Sequence, residues 1–571
     1  MDSSIILGIS NLDVRSHDNA ACILVDGELR AQAEEERFTR KKHAYDALPM
    51  NAIRYCLKKT GLAAEDVMDI AIGWDLSKTS FDKKQTPALA GDNASIAQKL
   101  LGDNIGENAP SVHFIPHHLA HAALIYYASG FRSAAILVVD GAGESEATTH
   151  WHGKEASLVK LQSKDQYPHS LGFMYEGVSE YLGFHRSEAG KVMGLAAYHP
   201  QKVEPFNVFS FANGYSVHFP QEIFESVARD FAEKENYYTM DIITECWIRY
   251  CESLFGPREQ FRMHSLKKDD IHFATRSRIA SILQTSLETA LLSTVAFIRE
   301  QTGEDSLCMS GGVALNCSAN GKLDQSMLFR EIYTYPASND SGVALGAALY
   351  VQSERGAESL NSNHINNNPF WGPEYSDAEI QDFLLCTGLQ FEKCNEDFAD
   401  VAELIASGKI VAWFQGPMEI GPRALGGRSI LADPRDPGMT DRVNKIKDRE
   451  LWRPLAPSIL RGYESKFFEP GVFSPFMLRA AIVKQHMRSL IPAVTHVDNT
   501  SRYQSVCFET NPRYWRMIDA FRKATGVPMV LNTSFNHKEP IVCSPEDALR
   551  TFSEREIDHL IIGAYKASKS F

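Results

Sequence analysis

The chain has 571 residues and a formal net charge of −14. That length exceeds what one hydrophobic core supports, so two or more domains are expected. The acidic balance argues against a large nucleic-acid surface, which needs clustered cations, though not against a small buried anion site. Ten cysteines are scattered without a Cys-x-x-Cys pair, which fits a reducing cytoplasm better than a disulfide framework or a zinc ribbon. No apolar run reads as long enough to cross a bilayer, and Met1-Asp2-Ser3-Ser4 puts no basic region before the first apolar run. Neither a membrane span nor a signal peptide is expected, and the reading is cytoplasmic.

Ile5 to Ile9 reads as a first strand and Ala20 to Val25 as a second, joined through Asp26-Gly27 to a third that runs from Leu29 to Ala33. Asp-Gly is a hairpin signal because both positions of the favoured turn need positive φ. Ala134 to Val139 followed by Asp140-Gly141 repeats the pattern, with continuations at Thr148–Trp151 and Ser157–Leu161. Two similar strand-rich starts suggest a duplicated α/β unit of the actin, hexokinase and Hsp70 type. Apolar residues at three- and four-residue spacing predict a helix over 278–298. A short strand at Ser306–Met309 precedes Gly311-Gly312, and Ser338-Asn339-Asp340 precedes a small-residue helix from Gly342 to Tyr350. Residues 358–375, rich in Asn, Ser and Pro, read as a linker. A first domain over 1–357 and a second α/β or α+β domain over 376–571 follow.

His117 and His121 would share one helix face, one turn apart, and can grip one metal ion. Asp140, at a strand end, is a natural third ligand, and Asp340 sits at a comparable loop-to-helix junction, where ligands of α/β proteins collect. The plain alternatives are histidines bonded to carbonyls, an Asp140 that caps a turn, and an Asp340 that is only an N-cap. Two His and two Asp would suit Fe(II), Mn(II) or Zn(II). The His-Glu-x-x-His signature of zinc proteases is absent.

Gly311, Gly312 and Asn316 lie where a strand turns into a helix, a place where backbone can approach phosphate. His17, in the loop after the first strand, can take a proton from a hydroxyl. The run Glu34 to His43 reads as a solvated charged face, with one or two cations, Lys42 among them, free to meet phosphate. In the second domain Arg423, Arg453 and Arg502, with Ser534, could hold a phosphorylated substrate through bidentate forks. Structural salt bridges are the alternative.

Read together and in order, the stretches Glu34–His43, His117–His121, Gly190–Ala197, Gly311–Asn316, Gly421–Ser429, Lys447–Pro457 and Asn532–Asn536 resemble the O-carbamoyltransferase family of natural-product biosynthesis. The resemblance covers nearly the whole chain. It implies an N-terminal duplicated actin-like (ASKHA) domain, similar to the threonylcarbamoyl transferases, and a C-terminal YrdC-like α/β domain. The implied chemistry is ATP-dependent. The second domain would make carbamoyladenylate from carbamoyl phosphate and ATP, with Mg as its counter-ion. The first would pass the carbamoyl group to a hydroxyl of a small-molecule natural product and release AMP.

Carried over residue by residue, the resemblance makes His117, His121, Asp140 and Asp340 the ligands of Fe(II), and His17 the general base. Lys42, Gly311, Gly312 and Asn316 would contact the adenylate, and Arg423, Arg453, Arg502 and Ser534 would bind carbamoyl phosphate. No nucleic acid or membrane partner is implied, and a homodimer is left open. Residues 78–108 and 207–270 depart from the aminoglycoside-modifying pattern, so an aminoglycoside acceptor is not assumed. The rival readings are an actin-fold small-molecule kinase or ATPase, a tRNA-modifying threonylcarbamoyl transferase and a non-catalytic nucleotide sensor.

Overall fold

A computed structural model describes residues 4–12, 16–75, 92–102, 105, 109–232, 239–261, 266–356 and 364–569. Much of the 78–108 stretch and parts of 207–270, where acceptor specificity is expected, lie outside them, as does 358–363.

Strands β1 (Ile5–Ile9), β2 (Ala20–Val25), β3 (Glu28–Glu34), β4 (Asp69–Ile72) and β5 (Ser111–Phe114) form a sheet of order β3-β2-β1-β4-β5. The β2–β3 turn has Asp26 at φ 51° and Gly27 at φ 77°, the twist that the Asp-Gly pair predicts. Strands β6 (Ser133–Val139), β7 (Glu146–Lys154) and β8 (Ser157–Asp165) recur in the same way. They combine with β11 (Ser306–Ser310) and β12 (Glu331–Thr334) in the order β8-β7-β6-β11-β12. In both sheets an antiparallel hairpin stands on one side and a parallel pair on the other. This is the duplicated actin-like arrangement. A two-stranded ribbon, β9 (Phe209–Ser210) with β10 (Ser216–Val217), is inserted between the halves of the second sheet.

The C-terminal part is built on one mixed sheet of eight strands: β13 (Gln390–Lys393), β14 (Val411–Phe414), β15 (Arg428–Ala432), β16 (Ala456–Leu460), β20 (Gln504–Val506), β21 (Met529–Ser534), β22 (His559–Ile562) and β23 (Tyr565–Ser568). Their order is β13-β23-β22-β14-β15-β21-β16-β20. A three-stranded sheet, β17 (Phe468–Glu469), β18 (Ala480–Val483) and β19 (Thr500–Arg502), accompanies it. Fully buried Trp413, Phe521, Val530 and Leu560 belong to one core there.

By contacts the chain divides into one unit of Met1–Leu7, Val14–Val67 and His364–Phe571, and another of Gly8–Asp13 and Met68–Asn363. This division departs from the boundary expected at 357. The cause lies in the charged run at the end of β3, which is not a solvated face. Glu34, Glu35 and Arg37 are 5%, 1% and 3% exposed. The Glu34 carboxylate accepts the Gly421 N–H at 3.0 Å. Arg37 donates to Glu34 at 2.7 Å and to the Gly421 carbonyl at 2.7 Å. Arg40 donates to the carbonyls of Pro540 and Ile541, each at 2.7 Å. The run is therefore the polar seam that holds 14–67 to the C-terminal part of its own unit.

The expected linker is likewise ordered from 364 onward: Gly372 donates to Met418 O at 2.9 Å and Met418 to Pro373 O at 3.0 Å. A third expectation changes with the helix Phe273–Thr302. It is long and apolar enough, by length and composition alone, to cross a membrane, and 56% of its apolar window is buried in the fold. Between Ile279 and Ile298 Glu288 is the one charged residue, and Arg276 and Arg278 stand just before that stretch.

Arg37→Met tests the seam. It leaves the buried Glu34 carboxylate without its counter-charge, which costs about 3–5 kcal/mol when one member of a buried pair is removed. A large fall in the urea midpoint is expected. A midpoint unchanged from the parent chain would contradict the seam.

Candidate active sites

In the unit of Met68–Asn363, four side chains converge. His117 and His121 lie on the helix His117–Ser129, one turn apart on the same face. Asp140 follows the last residue of β6, and Asp340 is the first residue of the helix Asp340–Ser353. Asn339, not Asp340, occupies the N-cap position, so Asp340 does not serve as a cap. Asp140 does both jobs: Oδ1 accepts the Gly141 N–H at 2.7 Å, while Oδ2 stands 3.1 Å from His121 Nε2 and 3.9 Å from His117 Nε2. Asp340 Oδ1 is 3.6 Å and 3.9 Å from the same two nitrogens. One donor atom from each residue fits within 4.8 Å of the others.

Ligands held at about 2.0–2.2 Å around one ion sit roughly 3.0–3.4 Å apart, so shifts of a few tenths of an ångström would close this set. The tautomers are suitable. His117 Nδ1 faces the Gly73 carbonyl at 3.1 Å and must donate to it. His121 Nδ1 pairs with Ser310 Oγ at 2.9 Å, while that hydroxyl points its own proton at Ser338 O. Both Nε2 lone pairs then point inward. His117 Nε2, His121 Nε2 and Asp140 Oδ2 are buried without a hydrogen-bond partner, the signature of a site that fits a divalent cation. Burial works against charge on His121, but the Asp140 and Asp340 carboxylates outweigh it and push its pKa up to about 9, so without a cation its Nε2 holds a proton towards Asp140 that a metal ion would displace.

The Gly311-Gly312 turn belongs to this site. Gly311 has φ 93°, and a Cβ there would lie 2.1 Å from the Val139 carbonyl oxygen, so only glycine fits against β6. A Cβ on Gly312 would lie 3.2 Å from Asp140 Oδ1. Asn316 has a structural duty as well. Its Oδ1 caps the helix Cys317–Ser326 through the Ala319 N–H at 3.0 Å, and its amide pairs with Gln284 at 3.0 and 3.1 Å.

The other unit carries a site of the opposite sign. Lys447 is 7% exposed. Its Nζ donates to Asn536 Oδ1 at 2.7 Å, Asn536 O at 3.1 Å, Ser534 Oγ at 3.2 Å and the Ser534 carbonyl. Burial, then the charges of Arg449, Arg453 and Lys42, hold it well below the usual lysine range. Burial, Arg453 and Arg502 do the same to Arg449. Arg502 Nε is buried without a hydrogen-bond partner. The expected Lys42, Arg453, Arg502 and Ser534 are therefore brought together, and Lys447, Arg449 and Asn536 join them unforeseen.

Asn444 shapes that loop by accepting from Arg449 Nε at 2.5 Å and donating to the Arg453 carbonyl at 3.0 Å. Arg423 is half-buried on a loop wound around Glu419. One oxygen of Glu419 accepts the N–H groups of Leu425, Gly427 and Arg428 at 2.7, 3.2 and 3.2 Å.

His17 is in the same unit, with 48% of its side chain exposed. Asp18 bridges it to a second imidazole: Oδ2 is 3.1 Å from His17 Nδ1, and Oδ1 is 2.8 Å from His43 Nδ1. Burial would raise the Asp18 pKa, but the two rings hold it well below the usual carboxylate range.

Comparison with known sequences settles the family. The profile described as Carbamoyltransferase N-terminus matches residues 5–349, and Carbamoyltransferase C-terminus matches 402–569. The chain belongs to the carbamoyltransferase family. It is 34% identical to an uncharacterized protein of Synechocystis sp. over 99% of this chain and 97% of that protein. To the nodulation protein NolNO of Sinorhizobium fredii it is 35% identical, over 97% and 79%. A solved structure, component A of the (R)-2-hydroxyglutaryl-CoA dehydratase of Acidaminococcus fermentans, aligns at 17% identity and a TM-score of 0.33, over 61% of this chain and 97% of that one. The protein is thus a carbamoyltransferase, and the O-carbamoyltransferase resemblance read from its motifs agrees at the level of the family.

If the four converging side chains hold a cation, His121→Ala removes a ligand without touching the C-terminal part. Metal bound after gel filtration, measured by elemental analysis, is expected to fall from near one per chain to background. Stoichiometric metal in the variant would contradict the assignment.

Proposed function

We propose that this carbamoyltransferase works in two ATP-dependent steps, with residues 376–571 as a YrdC-like activating domain and 1–357 as the transfer domain. The observation that carries this reading is the cluster of Lys42, Lys447, Arg449, Arg453 and Arg502. Lys447 is buried, Arg449, Arg453 and Arg502 are partly buried and Lys42 is exposed; crowding like charges there is costly, and an anion with several oxygens offsets that cost. Carbamoyl phosphate and the ATP phosphates are such anions. Arg423, Arg453 and Arg502 suit planar, bidentate contact with phosphate oxygens, and Ser534 adds a hydroxyl donor.

In the first step water cleaves carbamoyl phosphate to carbamate and phosphate. A carbamate oxygen then attacks the α-phosphorus of ATP and pyrophosphate leaves with its Mg. The cation cluster holds the two anions together against their mutual repulsion and neutralises charge as it builds on the leaving group. The product, carbamoyladenylate, is a mixed anhydride that water destroys, so it is proposed to pass internally.

In the second step a hydroxyl of a small-molecule natural product attacks the carbamoyl carbon and AMP leaves. His117, His121, Asp140 and Asp340 would hold an Fe(II), Mn(II) or Zn(II) ion, with iron as the proposed metal. Such an ion supplies Lewis-acid stabilisation of phosphate oxygens on the leaving group. Gly311 and Gly312 let the backbone approach the adenylate beside Asp140, and Asn316 contributes through its fixed cap. Lys42 is proposed to reach the adenylate as well. His17, whose Nδ1 is held by Asp18, is proposed as the general base that takes the hydroxyl proton.

The activation half-reaction can be tested without an acceptor. Purified protein with ATP, Mg(II), Fe(II) and carbamoyl phosphate is expected to yield carbamoyladenylate by mass spectrometry, with AMP and pyrophosphate. Arg453→Ala is expected to lower the rate by about 100-fold or more, the size of effect seen when a phosphate-clamping charge is removed. ADP in place of AMP would favour the kinase reading.

A further inference from the structure

The helix that carries His117 and His121 starts without a side-chain cap of its own, because Pro116 occupies the N-cap position. Four N–H groups at a helix start need acceptors from somewhere, and a carboxylate from another segment is here. Glu144 Oε1 accepts the His117 N–H at 3.0 Å, and its Oε2 lies 3.2 Å from the same nitrogen. Oε1 also accepts the Asp75 N–H at 2.9 Å.

Asp75 ends a short segment that grips His117 in two further ways. The Gly73 carbonyl takes its Nδ1 proton, and the Trp74 ring packs against its imidazole with centroids 4.2 Å apart. Glu144 itself belongs to the turn that begins at Asp140. That turn is closed by Asp140 N–H to Ala147 O at 2.9 Å and Gly143 N–H to Glu146 O at 2.6 Å. It also lies close on the helix, since a Cβ on Gly143 would be 2.7 Å from the His118 ring. One carboxylate therefore ties together the segment after β4, the first turn of the histidine helix and the turn that carries Asp140. A negative group in that place also suits the positive end of the helix.

We propose that Glu144 is the positioning residue of the metal set, fixing the His117 end of the helix to the Asp140 turn so that ligands from two segments keep one geometry. This rests on the metal reading of the four donors, of which Glu144 is not one.

The test titrates Co(II), as a spectroscopic probe, into metal-free full-length protein. Glu144→Ala is expected to weaken Co(II) binding by about 10–100-fold, the usual cost of losing a partner that orients ligands. It is also expected to change the visible d–d bands, which report coordination geometry. Glu144→Gln keeps one oxygen acceptor and loses the charge, so its affinity should fall by a smaller factor. Glu146→Gln, two residues away and paired with Lys160, should leave affinity and spectrum unchanged. Far-UV circular dichroism separates loss of fold from loss of geometry, and if the alanine variant does not fold, the glutamine variant decides. Wild-type affinity and spectrum in a folded Glu144 variant would overturn the positioning role alone. Wild-type protein that binds none of Co(II), Fe(II), Mn(II) and Zn(II) would overturn the metal reading and this role with it.

Discussion

Two imidazole nitrogens and a carboxylate oxygen, buried together without hydrogen-bond partners, set the terms for one half of this protein. A polar atom taken out of water and left unpaired costs free energy, and folds leave few of them. Here the arrangement is maintained at some expense. Each histidine engages its Nδ1 with a second group so that Nε2 faces the cluster, and Asp140 divides its two oxygens between the turn and the cluster. The duplicated sheet explains the meeting of these groups. β6 delivers Asp140 at its C-terminal end, β11 delivers the glycines at the matching end beside it, and the crossover helices bring the histidines and Asp340 to the same rim. Ligands collect at such rims in open α/β sheets.

The other unit solves the inverse problem. Lys447 and Arg449 are buried among like charges, and both are pulled below their ordinary ranges. Four oxygen acceptors from Ser534 and Asn536 hold the Lys447 ammonium without neutralising it. A carboxylate in their place would have formed a salt bridge and left nothing for a ligand. Neutral oxygens orient the lysine without placing a negative charge beside the neighbouring arginines, which leaves their field to a ligand. An overall charge of −14 says nothing against this, since field at a site depends on the groups within a few ångströms and salt screens the rest.

Local patterns made the His117 and His121 pair and the hairpins legible in the sequence. Spacing of four residues puts His117 and His121 on one face whatever the rest of the chain does, and Asp26-Gly27 dictates its own turn. What escaped depends on partners far along the chain. The Glu34–His43 run looks like a solvated face because the Gly421 and Ile541 backbone groups that bury it are hundreds of residues away. Lys447 and Arg449 stand in a stretch that was singled out, yet only Arg453 was taken from it, since nothing local says that Asn444 will fold the loop back on itself. Glu144 carries no local signal of its own in the sequence. Its role as a cap for a helix that starts 27 residues earlier has no periodicity to betray it. Asn316 shows a second duty that local pattern does not reveal: beside the glycine turn, its amide also serves as an N-cap and a partner of Gln284.

The histidines of the two units are set up for different duties, and exposure is what separates them. His121 is fully buried, and its Nε2 is aimed at carboxylates within a rigid helix, which suits a ligand whose protonation should not change during a reaction. His17 is nearly half exposed, on a loop, with its Nδ1 against Asp18. The Asp18 beside it is shared with His43 and adopts φ 56°, while His43 has φ 63°. Left-handed backbone at two non-glycine residues is uncommon and costs about 1–3 kcal/mol apiece unless the surroundings impose it. Here the Asp18 N–H to His43 carbonyl bond and the Glu36 carboxylate on the His43 N–H impose it. Because both rings pull on Asp18, the carboxylate stays ionised and does not itself take the proton. It acts as a fixed negative anchor that makes His17 a better base the more charge the ring acquires. The strain holds Asp18 between the two rings, so that one carboxylate fixes the Nδ1 side of both imidazoles.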